Sequence, residues 1–525
     1  MTRTLPTFTI AVALLAQARF AAAADKKADK AEKPADTEET KKAEEVPEVV
    51  HDQSAWEVPQ DQMIPATPQR IPAYGAREDW SILPYGFAKL DATEDSTQSL
   101  DSGIGANLIQ RVGTYRGDHR RATLTARDSR IGLQFIAPSY PDISPQQKGM
   151  RTSGIIEFDF FGSTATDSKR EDTIIFGPVR MRQAYLKVET WIVDVVAGQT
   201  QDLFGWGGYY YPATVGYLGV PGQIYHRVPQ LRLEHKFRTD DGDFELHVAG
   251  AAVAPVQRDS GVPEGQLGVK FAYKGWKGWS GSGFGSPYLV PVSIGVSGLY
   301  RRFELTAPRG NPGSESVKTF GWGLSASVLV PIIPASAQYD HGNALTLTGE
   351  FSIGSGIANL YSGMDGGSRF PLLPGITATM PALQYQANVD PGLVTFDRTF
   401  TAKGIHWRAF VGGLQYYLPM ENNRIWVTGL YSRIWSDNIA ALTPFNSQGT
   451  IFTKMEYIDG SIQMELNPAV VIGISFQTVS QTFGDVSSPD PTYTLDPLQP
   501  TKPGTGGVFQ KARNNRAQLS MGFFF

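Results

Sequence analysis

Eight charged side chains carry the chemistry this sequence could do, and they come in pairs two residues apart. The pairs are Asp128 and Arg130, Glu157 and Asp159, Arg180 and Arg182, and Arg232 and Glu234. A spacing of two puts both members on one face of an extended strand. The residues between and beside them are apolar: Ile131 and Leu133, Ile156 and Phe158, Val179 and Met181, Leu231 and Leu233. Arginine stays charged at any working pH and grips carboxylates with a two-pronged fork. A row of Arg130, Arg180, Arg182 and Arg232 facing Glu157 and Asp159 would set up a transverse field that orders water and sorts polar solutes by charge. The same residues could equally brace a wall by salt bridges. Glu245, Lys270, Glu350 and Arg516 alternate with apolar neighbours in the same way.

Other chemistries find no footing. The chain has 7 His and no Cys, and no two His have the spacing of a helical zinc site. There is no Gly-x-Ser-x-Gly elbow and no phosphate loop ending in Gly-Lys-Ser/Thr. Glu157 and Asp159 could do acid–base work, but they lack a nucleophile or metal to work with. His235 and His247 have no evident serine partner. The expectation is therefore no catalytic residue, no metal and no cofactor. The formal net charge of −4 gives no argument for nucleic acid.

The elements that must position these charges are strands. The final residues, Ala517 to Phe525, alternate between Ala517, Leu519, Met521, Phe523 and Phe525 on one face and small or polar residues on the other, with Phe524 the exception. Similar alternation recurs from about Tyr85 onward. It gives about sixteen strands, separated by Gly, Pro, Asn and Asp clusters. A soluble sandwich also alternates, but it needs a second sheet over each apolar face, and here nearly every strand keeps a charged or glycine face. A closed membrane barrel satisfies every strand, with lipid outside and water inside. An Arg or Lys turned to the lipid would cost roughly 2–4 kcal/mol near the midplane, which assigns the charges inward. Mean hydropathy is −0.22, as expected when half of each strand is polar. The 28 Phe, 21 Tyr and 10 Trp suit interfacial girdles.

The fold class expected is thus all-β: a transmembrane antiparallel barrel of about 16 strands behind a long N-terminal tail. Residues 1–24 read as a secretory signal, with Arg3, an apolar run and a cleavage site in Ala21–Ala24. Residues 25–79 are charged and broken by prolines, a composition that cannot bury a core and reads as a periplasmic tail and linker. Residues 80–525 form the barrel. Long connections fall at 95–119, 204–228, 355–400, 437–449 and 481–507. The segment Gly205–His226 is rich in aromatics and glycines and suits either a loop folded inward to narrow a pore or an external packing loop.

Four runs, Ser129–Phe135, Gly154–Gly162, Val179–Tyr185 and Ala197–Phe204, resemble the DcaP-like outer-membrane porins, and Pro84–Asp91 resembles their first strand. The resemblance spans about residues 84–237 and returns at the C-terminus. It implies a sixteen-stranded trimeric channel in the outer membrane of a Gram-negative bacterium, taking up small, often anionic, organic solutes. It adds Gln199 to the pore-lining or constriction candidates, beside Asp128, Arg130, Glu157, Asp159, Arg180, Arg182, Arg232 and Glu234. Expected partners are outer-membrane lipid and lipopolysaccharide, the barrel-assembly machinery through the Phe525 strand, small solutes and two further copies of the chain. The alternatives are a non-conducting structural or adhesive barrel, or an outer-membrane barrel enzyme.

Overall fold

In the computed structural model, alternation becomes closure: the last strand pairs with the first. The structure describes residues 71–72 and 80–525, except 101–108, 139–148, 163–176, 209, 217–219, 282–283, 286, 308–314, 336–341, 363, 365–388, 391, 398, 400, 421–423, 443–450 and 484–510. The signal and nearly all of the tail read from the sequence lie outside the described residues.

Sixteen staves make the barrel. They are β1 (Ser81–Asp95), β2 (Arg121–Thr125 and Arg130–Ile136), β3 (Arg151–Asp159), β4 (Arg180–Glu189) and β5 (Asp194–Gln201). Then come β6 (Arg227–Arg238), β7 (Phe244–Val253), β8 (Glu264–Ser280), β9 (Tyr288–Thr306) and β10 (Ser316–Ile333). The rest are β11 (Leu345–Ser355), β12 (His406–Tyr417), β13 (Ile425–Trp435), β14 (Phe452–Asn467), β15 (Val470–Phe483) and β16 (Lys511–Phe524). Every neighbouring pair is antiparallel. The seam closes where β1 meets β16, with Phe87 opposite Phe524 and Asp95 opposite Arg516. Beyond it, Phe525 and Gly86 exchange two backbone hydrogen bonds. Each sequence-assigned strand falls within or across one stave. Most staves run longer than the alternation marked them, and β9 reaches 19 residues.

The faces separate as the charge argument requires. Leu90, Ile131, Phe158, Leu231, Leu267, Ile458 and Met521 are exposed on the outside, while Asp91, Glu157, Ser297, Gln463 and Ser520 are buried inside. An outer apolar surface on a closed barrel has only lipid to meet. The connections β4–β5, β6–β7 and β14–β15 at one end are short, and β5–β6, β11–β12 and β15–β16 at the other are long. Short turns mark the periplasmic end and long loops the extracellular end.

Candidate functional site

Two features occupy the lumen: a charged wall and a loop that crosses from it. The charged wall is built on β2, β3 and β4. Arg180 forks onto Asp159, with Nε to Oδ1 at 2.9 Å and a terminal nitrogen to Oδ2 at 2.6 Å. Arg182 bridges both acids, reaching Glu157 and Asp159 at 2.7 Å each. Arg130 lies 3.7 Å from Glu157, and the Tyr85 hydroxyl donates to Glu157 at 3.1 Å. A register shift beside Glu157 makes room for this bridge, because it turns both Arg182 and Gln183 to the buried face.

The pairing therefore runs along the wall, between neighbouring strands. It does not run across the lumen, so the expectation of an arginine row facing Glu157 and Asp159 from the opposite side is corrected. Interleaved strands put each carboxylate within one strand spacing of its arginine, far nearer than the opposite wall. Arg232 belongs elsewhere. It pairs with Glu234 at 2.9 Å, and His247 lies 3.4 Å from the same acid. In register Arg232 stands opposite Val196, level with Lys187 rather than Arg182. Asp128 is held by Lys89 at 2.7 Å, near the seam.

Gln199 is on the other face. Its cross-strand partners are Ala184 and Pro229, which share the outer surface with Leu186 and Leu231. Gly198 takes the inward position instead, at φ +129°, opposite buried Gln230. The β4–β5 ladder stops at Ala184. The Gln199 amide then donates to the carbonyls of Met181 and Arg182 just past that point, at 3.2 and 3.4 Å. It closes a gap in the ladder from outside, and the pore-lining assignment of Gln199 is corrected.

The second feature is the β5–β6 connection, which lies inside the barrel. Its neck is closed by the Asp202 amide donating to the His226 carbonyl at 3.1 Å and by the two side chains at 2.9 Å. From there it crosses the wall strands in order. Backbone amides of Phe204 and Gly205 donate to Gln266 on β8 and Ser297 on β9. Tyr211 donates its hydroxyl to Glu350 on β11 at 2.7 Å, and burial holds that hydroxyl's pKa well up, with the Glu350 charge adding to it. The Ile224 amide donates to the same carboxylate at 3.2 Å. Ala213 is clasped by Gln415, Thr428 and Gln463 on β12, β13 and β14. Thr214 donates to Asp459 on β14, and Gln518 on β16 donates to the Val215 carbonyl.

Glycines on the inner wall make the seat. An added Cβ would come within 2.9 and 2.7 Å of Trp206 at Gly268 and Gly295, and within 2.9 Å of Phe204 at Gly323. At Gly413 it would meet Pro212, and at Gly473 Val215, each at 2.6 Å. The sequence showed these glycines as one face of their strands. Their purpose is legible only once the loop is in place. Glu350 had been assigned inward, Tyr211 lies in the segment marked as a candidate inward loop, and Gln518 falls on the polar face of the last strand, but Gln415 and Asp459 drew no notice, because a single polar residue carries no spacing signal.

The crystal structure of the outer membrane channel DcaP of Acinetobacter baumannii superimposes with a TM-score of 0.55 over 86% of this chain and 99% of that one, at 17% identity. The fold is that of an outer-membrane channel barrel. It is the same architecture that the motif runs resemble, and it places the chain in the outer membrane of a Gram-negative bacterium. Weaker matches include OmpT of Vibrio cholerae (TM-score 0.43, 9% identity, 86% of this chain and 99% of that). Another is an anion-selective porin from Comamonas acidovorans (TM-score 0.41, 10% identity, 85% and 100%). No protein-family profile matches the sequence, and no curated protein does.

Proposed function

We propose that the barrel is a passive channel for small hydrophilic organic solutes with a preference for anions. The observation that supports this is an asymmetry within the wall ion pairs. Arg180 keeps 42% of its side-chain surface in water while its partner Asp159 keeps 1%, and for Arg238 and Glu245 the figures are 34% and 0%. Lys274 over the same Glu245 keeps 21%. Long cationic side chains reach past short carboxylates that lie against the wall. A solute in the lumen then meets guanidinium and ammonium groups first, although the formal charges nearly cancel. Lys187 and Glu189 run the other way, which moderates the effect.

On this reading Arg130, Arg180 and Arg182 with Glu157 and Asp159 form one station of the path, and Arg232 with Glu234 a second. Tyr225 joins the first to the loop, since its hydroxyl accepts from Arg182 at 2.9 Å and from Arg227. No residue is assigned a catalytic role, and the functional unit is taken as three copies. The test is reversal potential across planar bilayers under a salt gradient. Anion preference that shrinks as salt screens the wall supports the proposal. Cation preference, or no conductance at all, contradicts it.

A further inference from the structure

The outer face of β12–β16 is apolar except for one band. Phe410, Leu414, Tyr431, Ile458, Ile462, Phe476, Leu519 and Met521 cover its middle. At the extracellular end the register aligns two rows on that same face. One runs Arg408, Trp435, Lys454, Thr482, Lys511 across five strands. The next runs Arg433, Glu456, Ser480, Arg513. Strands about 4.8 Å apart make the first row about 19 Å long.

Two acids neutralise part of the band. Asp437 takes Arg408 at 2.8 Å and Glu456 takes Lys454 at 3.0 Å. The Arg433 guanidinium packs 4.9 Å from the Trp435 ring. Lys511 and Arg513 are exposed and have no ion pair among the described residues. Five cations against two acids leave the band basic, and its side chains point where lipid headgroups begin, directly above the apolar surface.

We propose that this band docks the phosphorylated headgroups of outer-leaflet glycolipid. Guanidinium groups bind phosphate in a fork, and ammonium groups bind it as point charges. Several such groups in a row fit a headgroup bearing more than one phosphate. The interfacial Trp435 and Tyr431 would flank it at the apolar boundary, where aromatic girdles sit. The lumen charges take no part, since they lie on the opposite face of the same strands.

The experiment uses the full chain in detergent and measures binding of bisphosphorylated lipid A and of the same glycolipid after enzymatic removal of its phosphates. The double variant Lys511→Gln/Arg513→Gln strands no buried group, and its fold is checked by unheated gel migration and unchanged single-channel conductance. Adding Arg433→Gln gives the triple variant. The expected result is a Kd weakened roughly tenfold or more in the triple variant, a smaller loss in the double variant, and weak binding of the dephosphorylated lipid. Wild-type affinity in both variants, or equal binding of the dephosphorylated lipid, would overturn the proposal.

Discussion

The inner faces of β2–β7 and of β9–β16 belong to one barrel but solve different problems. The first arc carries Arg130, Glu157, Asp159, Arg180 and Arg182, paired between strands, and Arg232 with Glu234, paired along one strand; of these cations Arg180 keeps the most surface in water. The second carries mostly Gly, Ser, Thr and Gln, with a few charges such as Glu350 and Asp459. Over it lie the β5–β6 loop and apolar residues of other loops, among them Ile357, Leu360, Leu393 and Phe396. At the periplasmic end Phe284, from the β8–β9 turn, packs beside Val215, Trp426 and Phe524. Charged walls hold water and repel apolar loops, because covering a charge costs several kcal/mol unless it is paired. Small, mostly neutral walls accept a loop, because polar side chains there partner its backbone and the buried acids Glu350 and Asp459 are hydrogen-bonded by loop residues. The contrast teaches that a barrel can be narrowed on one side only.

The largest expected effect follows from removing that filling. Replacing residues 205–222 with a short Gly-Ser linker should raise single-channel conductance severalfold and weaken anion preference, since solutes then pass far from the arginines. Unchanged conductance would place the constriction elsewhere.

The charged arc is next. Arg182→Ala leaves Glu157 and Asp159 buried with a missing partner, which should cost about 3–5 kcal/mol. Arg180→Ala removes a more exposed group. It should cost less and shift reversal potential toward cations. Denaturant midpoints in detergent would show the order, and equal losses would mean the two arginines are equivalent braces.

The seat can be tested without touching a charge. Gly413→Leu and Gly473→Leu should each cost about 1–3 kcal/mol by overpacking against Pro212 and Val215. A Cβ added at Gly429 or Gly460 meets nothing within 4 Å. Gly429→Ala and Gly460→Ala should therefore leave stability and conductance nearly unchanged. A loss there as large as at the seat would deny the seat its special role.

The smallest effect is at the loop neck. Burial alone would lower the His226 pKa, but the Asp202 carboxylate outweighs it and the net shift is upward. A raised value means the pair's contribution is complete below the ordinary 6.5 and fades as pH rises through the raised value. Open-channel noise should grow over that window, and His226→Gln should remove the dependence. A pH-independent noise level in the unmodified protein would show that the neck is held by its backbone bond alone.

All of the staves were legible in the sequence, because lipid outside and water inside impose strict alternation. Their ends were not. Strand pairing resumes at Lys277–Ser280 after a register shift beyond Tyr273, and it includes Ser316–Gly321; the shift breaks the alternation in the first, and Ser316, Lys318 and Phe320 mix polar and apolar residues on one face in the second. The inward charges were legible for the same reason, but their partners were not. A one-residue register shift decides whether Arg182 reaches Glu157, and no spacing within one strand encodes it. Gln199 failed because it came from a motif match. In the structure Val196 and Thr200 are buried and Gln199 lies on the other face, but the mixed run Asp194–Gln201 shows no alternation from which this could be read.

The absence of cysteine makes the central contrast directly measurable. Lys236→Cys would stand in the charged arc and Ser461→Cys in the filled one, each as the chain's single thiol. The measurement is the rate at which a charged methanethiosulfonate reagent modifies each and blocks current. Rapid modification and block at 236, with none at 461, is the expected result. Modification at 461 as fast as at 236 would contradict a channel confined to one side of the barrel.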